Sequence, residues 1–424
     1  MIQTFKRLFY FPFAYYFVFW AKIQLRLWKP RIIIVTGSNG KTTLLHLIES
    51  QLKTRARYSH HANSSYGIPF DILGLKRAKL TVGEWPYLML IAPFKAFKKP
   101  FKERIYAVEA DCDRPFEGSF IGSFLKPELT IWLNVSKTHT MNFDKLVQAR
   151  QFATVDEAVA YEFGNYLANT SSLVIANADS QLIKKQLART VTKKILISNQ
   201  ILDGYEVSAE ATQFQINKKI YSFKYLLPKN TFYSIEAIKS LMNYLKLKFD
   251  PSFANFYLPP GRSSIFKGLK NTTLIDSSYN ANLDSVRAIL EMFDLYSSAN
   301  KWLVLADMLE LGQEEKQEHE QLAQLISKSS NLSRIILMGP RTQQYTYPLL
   351  KGKLDKKIIL EQFLTPRQVL DYLRQNIQGG ETILFKGARF LEGVVEDLLA
   401  DKNDVRKLGR REAVWQKRRR QWGL

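Results

Sequence analysis

Short, strongly apolar stretches separated by longer amphipathic ones set the rhythm of this chain. Ile32–Thr36, Ile105–Glu109, Leu129–Leu133, Leu173–Ala176, Thr273–Asp276, Trp302–Ala306, Arg334–Met338 and Thr382–Lys386 are rich in aliphatic and β-branched residues at strand length. Between them, stretches such as Leu283–Tyr296 and Lys316–Lys328 place apolar residues at helical spacing. Alternation of this kind predicts an α/β fold with largely parallel sheets. The turn-forming run Leu258-Pro259-Pro260-Gly261 precedes a fresh series of strands and reads as a hinge. The expected division is an N-terminal segment 1–29, a central domain 30–258, a C-terminal domain 259–400 and a tail 401–424.

Composition narrows the class. With 424 residues, 46% hydrophobic and 24% charged, the chain is globular and long enough for two or more cores. A single cysteine, Cys112, excludes an internal disulfide framework, fits a reducing compartment such as the cytoplasm, and reads as packing. The net charge of +22 is concentrated: residues 1–31, 76–104 and 401–424 each carry +6. Such segments suggest an anionic partner. Leu8–Ala21 is 14 residues without a charge, short of the roughly 20 needed to span a bilayer. Flanked by Lys6, Arg7, Lys22 and Arg26, it reads as an interfacial anchor on an anionic membrane surface, with a core helix as the alternative. Trp85–Tyr106 mixes aromatics and lysines in the same way and reads as a second surface-lying stretch. No nucleic-acid-binding motif is present, and the tail is expected to be a solvated, frayed terminus.

The sharpest chemical signal is "TGSNGKTT", Thr36–Thr43, between an apolar strand and a helical pattern. Gly37 and Gly40 allow close backbone approach, and the amides of Ser38, Asn39 and the following residues can face a polyphosphate. Lys41 can reach terminal phosphates, Thr42 can ligate Mg²⁺, and Thr43 continues the helix N-terminus. This pattern reads as a nucleotide-binding phosphate loop. His60 and His61, adjacent in sequence, read as structural.

"TGSNGKTT" resembles the ATP loop of the Mur ligase superfamily, the ATP-dependent amide ligases of cell-wall peptide synthesis. "NSSYGIPFDILGL" with Asn63, "YAVEADCDRPFEGSF" with Glu109, "KPELTIWLNVSKTH" with Pro127, Asn134 and His139, and "IANADS" with Asn177 and Asp179 resemble further family segments in order. "PGRSSIF" with Arg262 resembles the start of the C-terminal ligase domain. "LIDSSYNANLDSV", "LADMLELGQEEKQEH" and "LFKGARFLEGVVEDL" resemble signatures of the branch that adds D-Ala-D-Ala. The resemblance implies a P-loop ATPase domain with a mostly parallel sheet, followed by a Rossmann-like ligase domain. It also implies acyl-phosphate chemistry between a peptide-precursor carboxylate and an amine. Lys41, Glu109, His139 and Arg262 would be catalytic, with Thr42, Glu109 and His139 on metal. Arg262, Asp276, Asn280 and Asn282 would contact nucleotide from a C-terminal domain that closes on the site. Asn63, Glu310, His319, Lys386 and Arg389 would line the substrate.

Three departures accompany the resemblance. The family's metal-orienting lysine is replaced by Ala160 in "AVAYEF", while Glu162 keeps the neighbouring acid. A double Asp becomes Asp276-Ser277. Only about thirty residues precede the phosphate loop, so the family's uridine-nucleotide-gripping domain is expected to be missing, which suits a lipid-linked substrate. A ligase with another acceptor, of the polyglutamate type, and a degenerate nucleotide-binding scaffold at a membrane stay open beside the D-Ala-D-Ala reading.

Overall fold

The computed structural model describes residues 10–60, 62–77, 82–329 and 331–424. Residues 1–9 of the expected anchor, and His61, lie outside the described residues. The chain forms two compact units. The first is Met1–Ser136, Lys145–Asn199 and Tyr233–Tyr257; the second is Lys137–Asp144, Gln200–Phe232 and Leu258–Leu424. Two inserts within 30–258 therefore pack with the second unit.

The first unit is built on six parallel strands in the order β2-β3-β1-β4-β5-β6: β1 Arg31–Thr36, β2 Ala56–Tyr58, β3 Ile105–Ala110, β4 Leu129–Trp132, β5 Leu173–Asn177 and β6 Lys193–Ile197. Strands β1, β3 and β4 are buried almost throughout because both faces of a parallel sheet are covered, which explains their unbroken apolar runs. β6 is an edge strand with Lys193 and Lys194 exposed, so its apolar pattern is too weak to read in advance.

Helix α1, Tyr10–Trp28, turns Ala14, Phe17, Val18, Ala21 and Trp28 inward. The apolar N-terminal segment is thus a core element, with Tyr15 and Phe19 facing out. It is followed in chain order by α2 (Lys41–Leu52), α3 (Gly67–Leu73), α4 (Trp85–Ala96), α5 (Glu117–Leu125) and α6 (Val155–Ala168). Phe17 packs edge-on against Phe70 of α3, with ring centroids 4.7 Å apart, and lies 5.9 Å from Trp85 of α4. Pro93 sits inside α4 and removes the amide that would bond the Met89 carbonyl. The Tyr16 hydroxyl donates to that carbonyl at 2.7 Å instead, so α1 repairs the helix it holds.

The second unit carries six strands in the order β10-β11-β15-β12-β13-β14, with β10 (Ser264–Lys267) antiparallel to β11 (Thr273–Ser277) and the other pairs parallel. β12 is Lys301–Ala306, β13 Leu332–Met338, β14 Ile359–Phe363 and β15 Thr382–Lys386. Leu303 and Leu305 face a core shared with α7 (Leu283–Leu295) and α8 (Glu315–Ile326). Trp302 and Val304 face another shared with α9 (Pro366–Asn376) and α10 (Leu391–Leu398). A three-stranded antiparallel sheet, β7 (Leu202–Val207), β8 (Thr212–Ile216) and β9 (Lys219–Phe223), belongs to the same unit. Its strands alternate polar and apolar residues, as in Thr-Gln-Phe-Gln-Ile, and lack the continuous run that marked the others.

The basic tail is not frayed in the structure. Arg411 and Arg419 pair with Glu396, Arg410 pairs with Glu392, and helix α11 (Ala413–Arg420) docks there. The acids of α10 give these bases a partner that sequence order hides.

Because Phe17 is fully buried between three helices, Phe17→Ala is expected to destabilise the first unit by about 3–5 kcal/mol, read as a lowered urea midpoint.

Candidate functional site

In the first unit, the loop Thr36–Thr43 leaves the carboxyl end of β1, the strand flanked by β3 on one side and β4 on the other. This switch point is where open parallel sheets bind ligands. Gly37 has φ 128°, and a side chain there would meet the Asn134 carbonyl at 2.7 Å, so glycine is required. Asn134, just past β4, clasps the loop: it accepts from the Asn39 amide and donates to the Asn39 carbonyl, both at 2.7 Å. Ser38 donates to the Ser136 carbonyl at 2.9 Å, and the Asn39 side chain donates to the Ser136 hydroxyl at the same distance. The exit of β4 therefore sets the loop's shape, and α2 begins directly at Lys41 with its N-terminal amides at the loop.

Lys41 is buried and ion-paired with Asp111 at 2.7 Å, and its ammonium donates to the Gly37 carbonyl at 2.5 Å. Burial alone would lower its pKa, but Asp111 and Glu109 outweigh that penalty and hold it above the ordinary lysine value. Thr42 donates to the Glu109 carboxylate at 3.0 Å. This hydroxyl and carboxylate, converging beside the phosphate loop, form an all-oxygen donor pair that fits a hard divalent cation such as Mg²⁺. Asn63 contributes its carbonyl, which accepts from the Asp111 amide at 2.8 Å. Asp111 is not among the residues that the resemblance implies. Its signal was available: Glu109, Asp111 and Asp113 alternate, as residues sharing one side of an extended segment do.

Ala160, at the place of the family's lysine, is fully buried on α6. Glu162 accepts from the Phe116 and Gly118 amides at 2.8 and 3.2 Å, capping α5, and burial raises its pKa. These two bonds give Glu162 a structural duty of its own.

In the second unit, a cavity of about 360 Å³ is lined by His139, Asn280, Asn282, Glu310 and Arg389, together with Tyr279, Arg410 and Trp415. His139 Nδ1 contacts the Glu310 carboxylate closely, and this hydrogen bond draws the Glu310 pKa down. His139, Glu310 and Arg389 have φ of 55°, 63° and 64°, conformations that cost a non-glycine residue about 1–3 kcal/mol and cluster at functional sites. Arg389 pairs at 3.4 Å with the buried Asp307, which also accepts from the Thr342 amide at 2.9 Å. Arg262 stacks over Tyr279 at 4.0 Å, and Arg410 donates to the Tyr279 carbonyl at 2.7 Å. Tyr279, Arg410 and Trp415 were not singled out from sequence. The tail residues Arg410 and Trp415 reach the cavity only through tail docking.

Ser277 and Lys386 end the paired strands β11 and β15, and Asp276 immediately precedes Ser277. Burial raises the Asp276 pKa. Burial, aided by Arg262, lowers that of Lys386 to about 7. Lys386 donates to the Asn280 carbonyl at 2.7 Å, holding the turn that carries Asn280 and Asn282. Asn282 also caps α7 by a reciprocal pair with Ser285. His319 has a different place from the one expected: it is fully buried, and its Nε2 accepts from the Met308 amide while Nδ1 donates to the Glu315 carbonyl. It braces the segment that carries Glu310 and is not part of the cavity wall described above.

Residues 261–389 match the family described as Mur ligase, glutamate ligase domain. Over 391 residues the chain is 25% identical to the UDP-N-acetylmuramoyl-tripeptide–D-alanyl-D-alanine ligase of Rickettsia prowazekii, covering 88% of this chain and 78% of that one. Its fold resembles that of the MurF ligase from Thermotoga maritima in complex with ADP, with a TM-score of 0.67 at 20% identity over 96% of this chain and 84% of the other. MurF from Acinetobacter baumannii gives a TM-score of 0.70 at 18% identity, over 90% and 79% of the two chains.

Two outcomes are expected from these sites. Asp111→Asn removes one partner of a buried pair, so the nucleotide-free protein is expected to lose about 3–5 kcal/mol. The ATP-induced rise in melting temperature should then be larger than in the parent, because phosphate replaces the missing anion. Lys386 titrates near 7 when folded and near 10.5 when unfolded, so the unfolded state binds the extra proton between those values. Stability relative to Lys386→Met should therefore rise as pH increases from 7 to about 10, measured by urea unfolding at each pH.

Proposed function

We propose that this chain is a Mur ligase that joins D-Ala-D-Ala to a UDP-linked muramoyl tripeptide, or to a closely similar precursor, with conversion of ATP to ADP. The observation that carries the reading is the buried Lys41–Asp111 ion pair, 2.7 Å long, at the base of the phosphate loop. In this reading a precursor carboxylate attacks the γ-phosphorus, ADP leaves, and the acyl phosphate is captured by the dipeptide amine. The tetrahedral adduct then releases phosphate, and the amine loses its proton.

Lys41 and the loop amides hold the phosphates in line and offset the charge of the transferring group. Mg²⁺, held by Thr42 and Glu109, would spread that charge further. Arg262, Asn280 and Asn282, all within the second unit, are polar groups suited to a nucleotide in this reading. His139, Glu310 and Arg389 offer paired charges suited to a zwitterionic dipeptide, whose ammonium needs an acid and whose carboxylate needs a base. Cytoplasmic work against a membrane face, where precursors pass to lipid carriers, is the finer part of the proposal.

The test is ADP and phosphate release with ATP, Mg²⁺, the muramoyl tripeptide and D-Ala-D-Ala. Turnover should require both substrates and fall at least about a hundredfold in Lys41→Ala. Turnover only with another amine, such as glutamate, would replace the acceptor. Nucleotide binding without turnover on any pair would overturn the reading.

A further inference from the structure

Helix α4 is apolar all the way round: among Trp85–Ala96 its one charge is Lys95. One face, Leu88, Ala92 and Ala96, is buried in the first unit. The opposite face is equally apolar but uncovered. Tyr87, Leu90, Phe94 and Phe97 follow each other at steps of three and four residues and are 63, 70, 73 and 66% exposed. A helix apolar on all sides normally has all sides out of water. Scattered single exposed apolar residues need no explanation, but four large ones in one seam do.

The ridge is also held rigidly. Trp85 packs into the Phe17–Phe70–Tyr66 aromatic cluster, Tyr16 bonds the carbonyl freed by Pro93, and Trp20 of α1 lies 6.5 Å from Phe97 at the ridge's end. The chain that continues from it is strongly basic: Lys95, Lys98, Lys99, Lys102 and Arg104 fall within ten residues against one acid, Glu103. Burial lowers the Lys98 pKa, and neighbouring Arg57 and Lys95 lower it further. Among the described residues no helix is long and apolar enough to cross a membrane. At about 1.5 Å per residue α4 is shorter than a bilayer core, so only a parallel, shallow seat suits it.

We propose that the Tyr87–Leu90–Phe94–Phe97 ridge is the membrane-docking edge of this protein, inserting at the headgroup level of an anionic bilayer while Lys95, Lys98, Lys99 and Lys102 meet lipid phosphates. Apolar insertion plus basic flanks is the combination that interfacial helices use. A second copy of this chain is a poorer occupant, because two such faces would bring their lysines together. The proposal is independent of which amine the ligase uses. It moves the main contact from the N-terminal helix, whose apolar stripe is occupied by the core, to α4.

The experiment is co-sedimentation of the full chain with phosphatidylcholine vesicles, with and without phosphatidylglycerol, at low and high salt. ATP turnover and light scattering are followed in parallel. The parent protein is expected on the anionic vesicles and to be released by salt. Leu90→Ser with Phe94→Ser should weaken partitioning at least about tenfold with turnover unchanged. Lys95→Glu with Lys99→Glu should do so by an order of magnitude or more at low salt only. Failure of the parent protein to sediment with either vesicle, or equal partitioning of the Ser variant, would overturn the proposal. A parent dimer that the Ser variant dissolves would also do so, assigning the ridge to a second copy.

Discussion

An ammonium buried at the base of a phosphate loop is the constraint around which the first unit is arranged. Lys41 has lost nearly all its water, and desolvation by itself would lower its pKa. Asp111 keeps it charged, and Asp111 can do so only because β3 runs beside β1 in register, Thr36 opposite Ala110. The next residues of both strands then emerge together. The same adjacency brings Glu109 to Thr42. Asn134 arrives from the other neighbour, β4, and fixes the loop that Lys41 spans. Sheet order is thus the cause, and a charged, pre-shaped anion site is the result.

The second unit repeats the device with different chemistry. Strand ends at Ser277 and Lys386 lie side by side, and burial drives the Asp276 and Lys386 pKa values toward each other. Around the cavity, left-handed backbones at His139, Glu310 and Arg389 are held by contacts that do not relax them: the His139–Glu310 bond and the Arg389–Asp307 pair. Strain of that kind survives only where the surroundings over-determine it. His319, read from its motif as a site residue, belongs to those surroundings.

Charge distribution links the site to the rest of the molecule in two ways. Three of the tail's six arginines, Arg410, Arg411 and Arg419, pair with Glu392 and Glu396, and Arg410 and Trp415 line the cavity. The bases after α4 find few acids and flank an apolar ridge. Similar compositions thus have different fates, decided by which acids the fold presents to them.

Periodicity and local chemistry alone determined the α/β class, most of the central strands, the break at Leu258 and the phosphate loop. Each rests on neighbours in sequence: an apolar run, a turn residue, a Gly-x-x-Gly-Lys-Thr spacing. Tertiary structure decided what depends on residues distant in the chain. Asp111 becomes the partner of Lys41 only through strand adjacency. Glu162 becomes a helix cap, His319 a buried brace, and Tyr279, Arg410 and Trp415 parts of one wall. The apolar N-terminal segment and α4 looked alike as sequence, both aromatic and both basic at their flanks. Packing separated them: α1 found a core for its apolar stripe, while α4 could bury only one of its two apolar faces.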